Sequence, residues 1–304
     1  MLNSITRSPL PAKPTSGAEL NFRPETLRGR VRFALAGRAV LWAALRDAAR
    51  LPLHAPQAQR QLTQRRAAGR VLRHLRVHVD ATGLECAHGG PFVVVALHEG
   101  ITDVLVLTCL PLPLRFVARD EIFTWPGVGP AITRLGHVSI DPEAGASGYR
   151  RLLHAARAVT RAGESLVVFP QGTVLGIEAD FQRGAFLLAR HLRLPILPVV
   201  VTGTHRVWEH PFTPTLRYAQ RVALRVLPPV PSEDVQATTP DELRVHLRRA
   251  MKRVALDPTL PAARRYVPER DGYWDGFRFD IDPDFPDLHH LVAAHRRRHP
   301  SGAA

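Results

Sequence analysis

"FVVVALHEGITD", residues 92–103, decides how this chain folds. Phe92 to Leu97 are all apolar, and the run ends on His98. An unbroken run with three consecutive valines reads as a strand buried on both faces, the pattern of a parallel sheet. Five residues after the histidine comes Asp103, and Gly100 between them permits a tight turn. The spacing alone proves little. With 15 His in the chain, a His five residues before an Asp arises by chance roughly 0.7 times. The segments on either side supply the context.

Upstream, "LRVHVDA" (75–81) alternates as a strand. Downstream, "VLVLTCLPL" after Asp103 reads as a short helix cut by Pro111. Strands follow at "LRFVAR" (114–119), "HVSID" (137–141), "SLVVFP" (165–170) and "LPILPVVVTG" (194–203), and "RVALRVLPPV" (221–230) reads as an edge strand. Helical periodicity marks 148–163, 184–192 and 241–256. Alternating strands and helices predict an α/β fold. The expected architecture is a single domain with a mixed, mostly parallel central sheet flanked by helices, preceded by N-terminal amphipathic helices. The expected boundaries are a flexible arm at 1–26, amphipathic helices over 27–74, the α/β domain over 75–256, and a C-terminal extension at 257–304 packing on the domain. In that extension the aromatic residues Tyr273, Trp274, Phe277 and Phe279 are expected to pack on the domain.

Composition narrows the partners. The 41 basic residues outnumber the 27 acidic ones, for a net charge of +14, and lysine occurs only at Lys13 and Lys252. Such an excess favours a polyanion: nucleic acid, an anionic membrane or a phosphorylated substrate. A compositional bias toward arginine explains it equally well. Single-stranded nucleic-acid binders interleave aromatics with basic residues on one face. Here the arginines cluster on amphipathic helices, so no nucleic-acid partner is expected. Over residues 27–50 a helical wheel gathers Arg28, Arg32, Arg46 and Arg50 in one sector, with Val31, Phe33, Leu35, Val40, Leu41, Trp42 and Leu45 spread over the other side and Arg38 an exception among them. That helix reads either as interfacial, lying on an anionic membrane, or as packed on the protein's own core. Two cysteines, Cys86 and Cys109, make no disulfide framework and fit a reducing compartment. The chain starts without an early apolar signal region and holds no apolar run of ~18 residues. A cytoplasmic protein, peripheral on the inner face of the cell membrane, is the expectation.

In an open α/β sheet the ligand lies at the carboxyl ends of the strands. "FVVVAL-HEGITD" and "SLVVFP-QGT" both end in polar, glycine-bearing turns, so both are expected on one rim. His98 there can serve as general base, with Asp103 fixing its tautomer. No Gly-x-Ser-x-Gly elbow supplies a nucleophile, and Cys109 in its apolar stretch is expected to be an inert core thiol. No His-Glu-x-x-His or Cys-x-x-Cys pattern offers a metal site, and no phosphate-binding Gly-x-x-x-x-Gly-Lys loop occurs.

Four segments, in order, give a resemblance. "GLECAHGGPFVVVALHEGITD" (83–103), "FVARDEIFTWPGVGPAITRLGHVSID" (116–141), "GESLVVFPQGT" (163–173) with "FQRGAFLLAR" (181–190), and "LPILPVVVTG" (194–203) resemble the blocks of the 1-acylglycerol-3-phosphate (lysophospholipid) acyltransferase family. The resemblance implies transfer of a fatty acyl chain from acyl-CoA or acyl carrier protein to a lysolipid hydroxyl. It implies His98 as base, Asp103 as its partner and no further cofactor. It also implies substrate contacts at Gly100, Arg119, Gln171, Gly172, Thr173 and Arg183.

Three positions depart from the family's pattern. Gln171 stands where Glu is usual, Pro142 where an arginine often follows Ile-Asp, and Leu97 where Asn often precedes the histidine. The first two are associated with the acceptor's phosphate. The departures predict an acceptor other than plain lysophosphatidate, or a phosphate gripped by Arg119 and Arg183. A thioesterase on the same scaffold, or a basic nucleic-acid- or membrane-binding protein without catalysis, are the alternatives.

Overall fold

The computed structural model describes residues 27–208, 216–267, 271 and 280–298. The 1–26 arm, the aromatics Tyr273, Trp274, Phe277 and Phe279, and the side chains of Arg28, Val31, Arg32 and Phe33 lie outside the described residues. The chain begins with helices α1 (Leu27–Ala49) and α2 (Gln57–His74). Then come strands β1 (His78–Thr82) and β2 (Val93–Ala96), helix α3 (Thr102–Leu107), strand β3 (Leu114–Arg119), and two short helices, α4 (Asp120–Phe123) and α5 (Val128–Leu135). Strand β4 (Val138–Ile140), helix α6 (Gly145–Arg161), strand β5 (Ser165–Val168) and helix α7 (Gly184–Leu192) follow. Strand β6 (Ile196–Thr202), helix α8 (His205–Trp208), strand β7 (Arg221–Val226), and helices α9 (Ser232–Ala237) and α10 (Pro240–Ala255) complete the domain, with a last helix at Pro286–Arg298.

Seven strands form one sheet in the order β1-β7-β6-β2-β5-β3-β4. Every neighbouring pair is parallel except β6 and β7, which run antiparallel. The mixed, mostly parallel sheet is therefore as expected, with one correction. The segment 221–230 is not an edge strand, because β1 pairs along its outer side and β7 is interior. Its two prolines, Pro228 and Pro229, fall after the paired residues and cost no ladder bond.

β2 lies at the centre with Val93, Val94 and Val95 fully buried. Alternate residues serve opposite layers. Val94 and Ala96 pack in the core that includes Val71 and Leu72 of α2 and Val106 of α3. Val93, Val95 and Leu97 pack with Phe186 of α7 and Leu247 and Met251 of α10. Each fully buried valine contributes about 1.5–3 kcal/mol relative to exposure. α10 is fixed at its start by a reciprocal cap in which the Thr239 side chain accepts from Glu242 N–H and the Glu242 carboxylate accepts from Thr239 N–H.

α1 packs small residues inward, Gly37, Ala44 and Ala48, and leaves Leu35, Arg38, Trp42, Arg46 and Arg50 exposed. The wheel's separation of arginines from apolar residues is thus not what the fold uses. Leu35 and Trp42 share the outer stripe with the arginines, because Gly37, Ala44 and Ala48 are what let α1 approach the domain closely. The Trp42 ring lies against Gly127, where a Cβ would meet it at 2.2 Å, beside an apolar hollow of about 470 Å³ between α1 and α5.

The extension is stitched to the loop after β5. Asp180 N–H donates to Asp280 O, Asp282 N–H to Glu178 O, and Tyr266 N–H to the Glu178 carboxylate. The fully buried Lys252 of α10 pairs with the fully buried Asp282 at 2.6 Å. Cys109 is exposed rather than a core thiol. It follows the last turn of α3, where the helix face has rotated to solvent, and partial burial of its thiol still pushes its pKa up.

Candidate active site

β2 delivers His98 to the carboxyl rim of the sheet, and the chain then turns back into α3 so that Asp103 faces it. Asp103 Oδ2 accepts from the ring Nδ1–H of His98 at 2.6 Å, and from the backbone N–H groups of Glu99 (2.7 Å) and Gly100 (3.0 Å). Asp103 Oδ1 accepts from the Thr204 hydroxyl. The carboxylate is fully buried. Burying it without partners would cost several kcal/mol, and four donors remove that cost. With Nδ1 donating, the His98 lone pair is at Nε2. The ring is 20 % exposed, and its Nε2 is neither buried nor bonded among the described residues. Phe169, at the end of β5, stacks on the imidazole with centroids 3.9 Å apart and planes 16° from parallel.

Gln171 is 1 % exposed and turned inward. Its Oε1 accepts from His98 N–H at 2.8 Å, and its Nε2 donates to Gly176 O at 2.9 Å. Both ends of the amide therefore help to hold the catalytic loop. A carboxylate here could accept the first bond but has no hydrogen for the second. Gly100 is buried as an Asp103 donor. Gly172 is exposed at φ +67°, and the Thr173 hydroxyl accepts from Leu175 N–H at 3.2 Å. Arg119 ends β3, two strand spacings from β2 (about 10 Å), and pairs with Glu121 at 3.0 Å. Arg183 precedes α7, is exposed, and faces Asp241 at 3.3 Å. Pro142 opens an exposed turn capped by the Asp141 carboxylate.

Four residues around the dyad carry no local signal in the sequence. Thr204 and Phe169 touch its two members. Glu99, next to His98, is buried and accepts from Gly203 N–H (2.8 Å), the Nδ1–H of His205 (3.0 Å) and Arg264 N–H (3.0 Å). Gly203 holds φ +88°, and a Cβ there would meet Arg221 O at 2.7 Å. Gly203 and Thr204 lie about a hundred residues from Glu99 and Asp103 and are brought to them by the β2–β6 pairing, and Phe169 is brought to His98 by the β2–β5 pairing.

A second histidine of the second block behaves differently. His137 Nδ1 accepts from Phe116 N–H at 3.3 Å, and Phe116 meets the ring edge-on. Burial, with Arg115 beside it, pushes its pKa down to about 3. Arg115 itself is held by Glu164. Among the described residues, no three of His, Cys, Asp or Glu converge as a metal ion would need.

The family model for acyltransferases matches residues 40–202, more than half of the chain. The chain belongs to the acyltransferase family. Curated 1-acyl-sn-glycerol-3-phosphate acyltransferases align with about half of this acyltransferase. That of Limnanthes alba is 31% identical over 146 residues, 47% of this chain and 51% of that protein. The human alpha enzyme is 30% identical over 159 residues, 50% and 53% of the two chains. The chain spans about half the length of the curated relatives it matches. The crystal structure of the 1-acyl-sn-glycerophosphate (LPA) acyltransferase PlsC from Thermotoga maritima shares the fold, with a TM-score of 0.54 over 74% of this chain and 88% of that one at 22% identity. The resemblance read from the four sequence blocks is thereby borne out.

Proposed function

We propose that this chain transfers a fatty acyl group from a thioester, acyl-CoA or acyl carrier protein, to the free hydroxyl of a lysophosphatidate-type acceptor. The observation that carries the proposal is the open Nε2 of His98, backed by a carboxylate with every donor in place. His98 Nε2 takes the proton of the acceptor hydroxyl, and the oxygen attacks the thioester carbonyl. Asp103 stabilises the imidazolium as it forms. Collapse of the tetrahedral intermediate breaks the carbon–sulfur bond, and the imidazolium returns the proton to the leaving thiolate. The relatives are named for lysophosphatidate acylation, which supports that acceptor class. The inward turn of Gln171 removes one reason to expect a different acceptor.

The same reading places the enzyme on the anionic inner face of the cell membrane. None of the described helices is long and apolar enough to cross a bilayer. α1 instead exposes Leu35 and Trp42 beside Arg38, Arg46 and Arg50. Apolar side chains flanked by arginine suit an interface where rings enter the headgroup layer. The test is incubation of the full chain with labelled acyl-CoA and a panel of lysolipids, read by mass spectrometry. Acylated lysophosphatidate is the expected product. Free fatty acid with no acylated lipid would mean that water is the acceptor and that the protein is a thioesterase.

A further inference from the structure

A closed ring of hydrogen bonds runs from the catalytic loop out into the C-terminal extension and back. His98 N–H donates to Gln171 Oε1 at 2.8 Å, and Gln171 Nε2 donates to Gly176 O at 2.9 Å. The next residue, Ile177, donates its N–H to Arg264 O at 2.9 Å. Arg264 N–H donates to Glu99 Oε1 at 3.0 Å, and Glu99 is the covalent neighbour of His98. Arg264 thus closes the ring with its own main chain, its N–H on one side and its C=O on the other. Glu99, Gln171, Ile177 and Arg264 are each no more than 4 % exposed. The extension also comes too close here for a side chain. A Cβ on Gly176 would meet Tyr266 N at 2.5 Å and Glu178 Oε2 at 2.7 Å. Tyr266 N–H donates to that same Glu178 carboxylate, and the buried Arg264–Asp271 pair at 2.9 Å holds the extension in shape.

Resting on the acyl transfer proposed above, we infer that residues 264–266 are a positioning element of the active site, acting on His98 and Asp103 through Gln171 and Glu99. The ring reaches both members of the dyad. Gln171 holds the main-chain N–H of His98, and the main-chain N–H of Glu99 donates to Asp103 Oδ2 at 2.7 Å. In a closed ring no member shifts without straining a second bond. Burial adds to this, because a bond broken inside the protein leaves a donor or acceptor without water to replace it. Such stiffness matters at a general base, where a misplacement of about 1 Å costs roughly 10²-fold in rate. Proton transfer itself remains with His98.

Two variants open the ring at separate points. Gly176→Ala drives a Cβ into the main chain of Tyr266. Glu99→Gln leaves one accepting oxygen, so either the Arg264 or the Gly203 N–H faces an amide NH2 group. Asp284→Asn is the control, because it loosens the same extension from Arg248 and Arg249 outside the ring. Each is made in the full chain, with thermal melts establishing that it is folded. With acyl-CoA and lysophosphatidate, Gly176→Ala should lower kcat about 10- to 100-fold and Glu99→Gln about tenfold, with both KM values within about twofold of wild type. Since both open one ring, the double variant should lose no more than the worse single. Asp284→Asn should lower the melting temperature and leave kcat unchanged. In the resting protein, the low-field NMR signal of the His98 Nδ1 proton, identified by its absence in His98→Ala, should be sharp in the wild type and in Asp284→Asn and broadened in the two ring variants. Folded Gly176→Ala and Glu99→Gln proteins with kcat close to wild type would overturn the inference. So would losses that multiply in the double variant, or an equal loss of kcat in Asp284→Asn, which would make the extension a general support of the fold. The expected NMR pattern in a wild-type protein that acylates no lysolipid would uphold the positioning element and sink the proposed reaction.

Discussion

His98 and His137 each sit against a strand of the same sheet, yet their surroundings make them opposites. At the rim, His98 Nδ1 donates to a carboxylate, which leaves an acceptor at Nε2 facing solvent. At β3, His137 Nδ1 accepts a backbone N–H, which places its proton on the other nitrogen, with the Arg115 cation nearby and, among the described residues, no carboxylate bonded to its ring. The first tautomer is a base ready for substrate. The second is a core residue held neutral. What faces Nδ1, rather than the presence of histidine, decides which one can do chemistry.

The largest effect that would sharpen this contrast is on turnover at the rim. His98→Ala should lower kcat by at least about 10²–10⁴ with the circular dichroism unchanged, because the base is gone. Asp103→Asn should lose a similar 10²–10⁴, since an amide no longer fixes the tautomer or stabilises the imidazolium. Near-normal turnover in a folded His98→Ala protein would erase the distinction between the two histidines. Thr204→Val should cost about tenfold in kcat with both KM values unchanged, and Thr204→Ser should restore it, since only the hydroxyl on Asp103 is at stake. A loss of melting temperature with no change in kcat would make Thr204 a purely structural contact.

His137→Gln should leave turnover within about twofold. Its effect should appear in stability against pH. The folded-state pKa of about 3 lies below the ordinary histidine value of 6.5, so between these values the unfolded chain binds a proton that the folded one refuses. Stability from this group is therefore complete above pH 6.5 and is lost as the pH falls toward 3, by about 2 kcal/mol at pH 5. Urea melts at pH 7 and pH 5 should show that loss in the wild type and a flatter response in His137→Gln. The smallest effect on chemistry belongs to α1. Arg38, Arg46 and Arg50 changed together to Gln should weaken co-sedimentation with anionic vesicles, about 1 kcal/mol per arginine at low salt. Turnover of a short-chain soluble acceptor should not move. Unchanged vesicle binding would assign the exposed Leu35 and Trp42 some other role.

Most strands were legible because a buried parallel strand has a strong local signature, and β3 and α7 fall on the residues the sequence marks. The position of β7 was not legible. Its local pattern and trailing prolines fit an edge, and only pairing with β1, about 140 residues earlier, makes it interior. Short α4 and α5 were missed because each is barely a turn or two and takes its stability from packing rather than periodicity. Within the site, the His98–Asp103 pairing follows from a glycine turn five residues long. Gln171 has a structural role that its sequence neighbours did not announce. Its identity was read against a substrate, whereas its two amide ends answer to His98 N–H and Gly176 O. Thr204 and His205 were hidden by sequence distance alone.

The family match stops at Thr202, one residue before Gly203 begins the stretch that grips Glu99 and Asp103. A fragment trimmed to those limits would keep His98, Asp103 and Gln171 and still lose Gly203, Thr204 and His205 at one end, and Arg264 with them. Its dyad would retain both named residues while Asp103 lost its Thr204 donor and Glu99 lost the donors on Gly203, His205 and Arg264. In this chain the recognisable signature and the working machine have different boundaries, and substitutions in the poorly matched tail can retune the reaction without ever touching the motif.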